Sequence, residues 1–131
     1  MANNVKMVFD NQNHGILTGH HGSTQVGPAE GALTAYDMVL GGLGACLQHT
    51  FQSILDKKNI HVNSVHYDIT GVKREEVPST LETVTLNVVV SGVEEKDYSK
   101  VEKSMELAGK YCSVYTTIGH VATMTTTIKF K

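Results

Sequence analysis

The sequence predicts an α+β fold in a single domain over residues 1–131, on three observations. A long segment and a shorter one carry apolar residues at helical spacing. Two stretches between them alternate apolar and polar residues, and a third alternating stretch closes the chain. A length of 131 residues suits one domain with a sizeable core.

The N-terminal part, Val5 to Phe9 and Gly15 to Gly19, is short, β-compatible and punctuated by Asn, Gly and His, which predicts a small meander with a third strand near Thr24. Gly27-Pro28-Ala29-Glu30-Gly31 breaks that pattern. Thr34 followed three residues later by Asp37 then reads as an acidic capping box, so a helix starts there. Leu40, Leu43, Leu47, Phe51 and Ile54 form its apolar face, and it runs to about Lys57. After Asn59, alternation through Val62, Val65, Tyr67, Ile69 and Val72 predicts a strand. Leu81 to Val93 predicts its antiparallel partner. Asp97 to Lys110 returns to helical spacing through Val101, Met105 and Leu107 or Ala108. Gly109 should end or kink that helix, a short one restarts near Cys112, and Val121 to Phe130, rich in Thr, makes the closing strand.

Hydrophobic residues are 40% of the chain, charged residues 18%, and the net charge is -2, the balance of a folded globular chain rather than a disordered one. Arg74 is the single arginine and the lysines are scattered, which argues against a nucleic-acid surface. The apolar run Met38 to Leu47 is ten residues long, short of the roughly 18 that a membrane span needs. The opening MANNVKMVFDN has no leader pattern, so we expect a cytoplasmic protein.

The chemistry concentrates on two cysteines. Cys46 follows the glycine-rich stretch Gly41-Gly42-Leu43-Gly44 on or beside the apolar face of the long helix, where it should be largely buried. A cysteine there can be a small core residue. Each glycine costs about 1 kcal/mol in a helix interior, so three of them point to another backbone or a ligand coming close. Cys112 falls near the first turn of the short helix, where the positive helix terminus favours a thiolate. It can equally be a second core cysteine. No metal-ligand spacing is present, since there is no CxxC, and no metal or cofactor is expected.

The segment TAYDMVLGGLGACLQHTFQSILDKK, the hairpin GVKREEVPSTLETVTLNVVVSG and the late ELAGKYCSV together resemble the OsmC/Ohr family, the osmotically inducible and organic hydroperoxide resistance proteins. The resemblance covers nearly the whole chain. It implies an OsmC-like fold in an intertwined homodimer, with the long helices packed together and active sites at the subunit interface. It also implies a thiol-dependent peroxidase acting on organic hydroperoxides or hydrogen peroxide. Cys46 would become a sulfenic acid, Cys112 would resolve it as a disulfide, and a dithiol reductant would reset the pair. Gly42, Leu43 and Phe51 are then the candidates for lining the substrate pocket.

This chain departs from the peroxidase branch that holds its first thiolate with an arginine from the N-terminal strands and a glutamate ten residues before the cysteine. Here Tyr36 stands at ten and Asp37 at nine, and the N-terminal region offers His14, His20 and His21. Burial raises a thiol pKa from about 8.5, so Cys46 needs a partner. Arg74, His20, His21 and His49 are the cationic candidates, and Asp37 is either an active-site acid or a cap. The alternative reading is a non-catalytic OsmC-like stress protein that binds a small apolar or thiol-containing molecule at the dimer interface. A third is a structural domain with two core cysteines.

Overall fold

The computed structural model describes residues 2–131. Its elements run β1 (Lys6–Phe9), β2 (Gly15–Thr18), β3 (Ser23–Val26), α1 (Ala35–Lys57), β4 (Ser64–Lys73), β5 (Leu81–Ser91), a 3₁₀ turn (Glu95–Asp97), α2 (Tyr98–Tyr111), α3 (Ser113–Gly119) and β6 (Thr123–Phe130). This is the expected α+β order. The chain forms two compact units, one up to Gly41 and one from Gly42 onward.

The first unit is an antiparallel meander, β1-β2-β3, with Met7 opposite Leu17 and Leu17 opposite Thr24. Between β1 and β2 the Asp10 carboxylate accepts the backbone N–H groups of Gln12 and His14 at 2.8 and 3.0 Å, which closes the turn. Gly27 has φ +132°, and a side chain there would run into the Asn13 carbonyl, so the position demands glycine. Three short strands have little interior of their own. Val5, Val8, Phe9 and Ile16 are each at least half exposed. Helix α1 opens in this unit with the predicted capping box: the Thr34 N–H donates to Asp37 Oδ2 at 2.9 Å, and the Asp37 N–H donates to Thr34 Oγ1 at 3.2 Å.

The second unit holds the core. Its sheet has the order β4-β5-β6, with β4 and β5 antiparallel and β6 parallel to β5. The central strand contributes Leu81, Val84, Leu86, Val88 and Val90, all buried. Helices cover the same face: Gly44 meets Ile69 of β4, Tyr98 of α2 stacks on Phe130 of β6 at 3.9 Å, and Tyr115 of α3 reaches Thr126 of β6 at 3.4 Å. On α1 the buried side is Leu43, Gly44, Leu47, Phe51 and Leu55, so the apolar stripe continues to Leu55 while Ile54 is only half-buried. On α2 it is Val101, Ser104, Met105 and Ala108, and Leu107 is exposed, as one face of a helix requires.

Gly109 does not end α2. The helix runs on to Tyr111, and a Cβ at Gly109 would meet the ring of Tyr115 at 3.5 Å, an ordinary contact. The break falls at Cys112, whose extended backbone (φ -74°, ψ 115°) closes α2 and opens α3. Val62 precedes β4 and Val121 precedes β6, with Val121 exposed.

Candidate active site

The two cysteines, 66 positions apart in sequence, meet in the second unit: the Cys112 S–H donates to Cys46 Sγ at 3.0 Å. Cys46 reaches that point from α1, two residues past Gly44, and Cys112 from the α2–α3 junction. Both thiols are free, Cys112 completely buried and Cys46 only partly buried. Cys46 is therefore more accessible than its place on an apolar helix predicts, because it stands at the edge of the stripe, beside Leu47 and not within it.

The segment after Cys112 supplies the rest. Ser113 Oγ lies 4.0 Å from Cys46 Sγ. The Cys46 thiol is held below its ordinary value, chiefly by the Cys112 S–H and then by the backbone N–H of Val114; burial opposes this, and the hydroxyl and N–H of Ser113 assist. Cys112 moves the other way: burial pushes it up, and donating its proton to Cys46 pushes it further, while the Tyr115 N–H, 3.4 Å from its sulfur, offsets part of the rise. The pair is thus polarised, with the proton favoured on Cys112 and negative charge favoured on Cys46. The start of α3 does favour a thiolate at Cys112 through the N–H groups of Tyr115 and Val114, but burial and the bond to Cys46 outweigh it, so the net direction is upward.

No cationic side chain contributes to lowering Cys46. Arg74 holds the Pro78 carbonyl through Nε at 2.9 Å and faces Glu76 at 3.8 Å, which ties it into the β4–β5 loop. His14 pairs with Asp10 at 3.5 Å, His20 and His21 meet edge to face at 4.4 Å, and His49 is exposed on α1. Asp37 is engaged by Thr34, whose N–H and hydroxyl keep its carboxyl below the usual range. Leu43 and Phe51 are fully buried core residues, and Gly42 is exposed with open space where a side chain would go.

Composition could not reveal the roles of Ser113, Val114 and Tyr115, because two of them act through backbone N–H groups that every residue has. The helix restart near Cys112 is the signal that points to such donors. Also missed is Tyr67 of β4, whose hydroxyl donates to Oε1 of Gln48, two residues past Cys46 on α1, at 2.8 Å. A cavity of 440 Å³ lies beside the site, lined by Leu47, Met105, Gly109, Tyr115 and Ile128 with Lys110 among its charged residues. Among the described residues no three His, Cys, Asp or Glu side chains converge as a metal site would need, and no helix is long and apolar enough to cross a membrane.

Solved structures share this fold at low identity. An OsmC-like protein from Mycoplasma pneumoniae superposes with a TM-score of 0.86 at 14% identity, covering 99% of this chain and 97% of its own. A hypothetical protein from Aquifex aeolicus gives 0.83 at 23% identity, with 100% and 98% covered. An organic hydroperoxide resistance protein OsmC from Legionella pneumophila gives 0.75 at 12% identity, with 98% and 97% covered. A search of curated proteins by sequence finds no match. The family model for OsmC-like proteins matches residues 27–127, which takes in α1, both cysteines and the whole β4–β5 hairpin, and the chain belongs to the OsmC-like protein family.

Proposed function

We propose that the protein is a thiol-dependent peroxidase that reduces organic hydroperoxides, or hydrogen peroxide, through Cys46 and Cys112. The observation that carries this is the polarised pair at 3.0 Å. The Cys46 thiolate attacks the distal peroxide oxygen, the O–O bond breaks, and the alkoxide takes a proton to leave as an alcohol. Cys46 is then a sulfenic acid. Cys112, already within about 1 Å of bonding distance, attacks its sulfur and releases water after proton transfer, leaving the disulfide. A dithiol returns two electrons. The likeness to a hydroperoxide resistance protein supports the substrate class. Two free cysteines suit a reducing compartment such as the cytoplasm. Helix α1 belongs to both units, and we treat residues 1–131 as one functional domain.

The assay is consumption of cumene hydroperoxide with dithiothreitol as reductant. We expect turnover by the wild-type protein and none above background for Cys46→Ser; equal rates for the two would end the proposal. The second reading, a binding protein for a small apolar or thiol-containing molecule, draws on the 440 Å³ cavity and the lack of a cation at Cys46. Intact mass after substoichiometric peroxide separates the two. An intrachain disulfide forming within seconds favours the peroxidase, and unmodified thiols favour the binder.

A homodimer is part of the proposal. The bare apolar side chains of the first meander and the open space at Gly41 and Gly42 are surfaces that a second copy would cover.

A further inference from the structure

The oxidised pair offers a reductant two sulfurs, and they differ in opposite ways. Cys112 has no exposed surface, and its backbone is pinned on both sides: its N–H donates to the Ala108 carbonyl at 2.8 Å, and its carbonyl accepts the Thr116 N–H at 3.0 Å. It cannot swing outward without opening the α2–α3 junction. Cys46 is partly exposed, and its neighbour Ser113 is exposed as well. Access therefore favours attack on Cys46. Leaving-group chemistry favours the reverse, since attack on Cys112 would expel the more acidic thiol, Cys46.

Magnitudes decide between them. With a Brønsted coefficient near 0.5, a difference in leaving-group acidity reaches the rate only as about its square root. Reaching a fully buried sulfur needs a local opening of the fold, which lowers the rate by about a hundredfold or more. Access wins. We infer that the reductant's thiolate attacks the Cys46 sulfur and expels Cys112, so that the mixed disulfide forms on Cys46. This rests on the disulfide chemistry proposed above.

The step balances. One sulfur of a dithiol forms a bond to Cys46 Sγ as the Cys46–Cys112 bond breaks, and the electron pair leaves on Cys112. The Tyr115 N–H, 3.4 Å from that sulfur, holds the new anion. Cys112, a weak acid in this setting, then takes the proton of the dithiol's second thiol. That second sulfur attacks the first, closes the reductant's own disulfide and expels the Cys46 thiolate. The dithiol has lost two electrons, and the protein is back in its starting state, with the Cys112 S–H donating to the Cys46 thiolate. A monothiol reaches only the first stage, where the Cys112 sulfur lies poised to attack Cys46 again and eject it.

The test oxidises the protein with diamide, adds excess 2-mercaptoethanesulfonate, quenches with iodoacetamide and maps the peptides. The adduct should sit on Cys46 and the carbamidomethyl group on Cys112, in excess by about tenfold or more; equal distribution, or adduct mainly on Cys112, overturns the assignment. Because re-closure can drain the adduct, a second measurement uses 5-thio-2-nitrobenzoate adducts of Cys112→Ser and Cys46→Ser, which release their yellow anion when a thiol attacks the protein sulfur. Release from Cys46 should be faster by about tenfold or more, or Cys112 should refuse the label; equal or reversed rates overturn the proposal. Diamide forms the disulfide without peroxide, so a failed mapping leaves the peroxidase reading standing, and a failed peroxide assay leaves the mapping intact. A protein that forms no intrachain disulfide overturns both.

Discussion

At Cys46 the groups that stabilise the thiolate are themselves short-range and rankable, with Cys112 ahead of Val114 and both ahead of Ser113. Cys112→Ala should raise the Cys46 pKa more than Ser113→Ala does, read from the pH profile of iodoacetamide alkylation; the reverse order would mean that the hydroxyl, not the thiol, is the main partner. The sign for activity follows. Cys46 titrates below an ordinary thiol, so the peroxide rate should reach its plateau at lower pH than for an ordinary thiol and fall as pH drops through the Cys46 value, and Cys112→Ala should move that fall upward. For stability the direction is the same, since a depressed folded-state pKa contributes above the unfolded value and is lost as pH falls through the folded one. Both cysteines were legible as chemistry in the sequence. Their partners were not, because a cation is visible as a residue type, whereas the groups that lower Cys46 are a thiol, a hydroxyl and peptide N–H groups.

At the scale of elements, α1 and α2 show what periodicity can and cannot give. The Thr34 and Asp37 capping box was visible from residue types alone, and Thr34→Ala should destabilise the fold by about 1 kcal/mol while leaving Cys46 alkylation unchanged, measured by urea unfolding and labelling in parallel. Gly109 misled because a glycine weakens a helix without ending it by itself, and α2 continues through it to Tyr111. Strand β4 adds a second test. Burial, helped by the nearby Cys112, pushes the Tyr67 hydroxyl above its ordinary value of 10.0. A raised pKa stabilises the fold fully below the unfolded value, and that contribution disappears as pH climbs beyond it, so stability should decline from about pH 10 upward. Tyr67→Phe should flatten that decline and, by deleting the bond to Gln48, cost about 1 kcal/mol at neutral pH.

For the whole molecule, the glycines of α1 separate the isolated chain from an assembly. In the single chain nothing lies within 4 Å of a side chain added at Gly42, so Gly42→Ala should stabilise a monomer by up to about 1 kcal/mol through helix propensity. If α1 packs on a second α1, Gly42→Leu should shift the protein from dimer to monomer in light scattering; an unchanged mass would place the interface elsewhere. The α+β order and all three helices could be read from local pattern. The parallel partnership of β5 and β6 could not, because alternation within a strand carries no information about its neighbour.

That parallel pairing also sets an order in time. Thr83 faces Thr123, forty positions on, whereas β4 and β5 are neighbours through a short loop. Contacts between distant residues form late, so the hairpin can precede the closure that brings α2 and α3 onto the sheet. Until then Cys46 is an ordinary, mostly protonated thiol. The segment from Cys112 to Val114 delivers the groups that lower the Cys46 thiol and, on the proposed chemistry, the sulfur that would resolve its sulfenic acid. On the proposed chemistry a nascent or partly unfolded chain would be quiet toward peroxide, and reactivity and its safeguard would switch on in a single folding step.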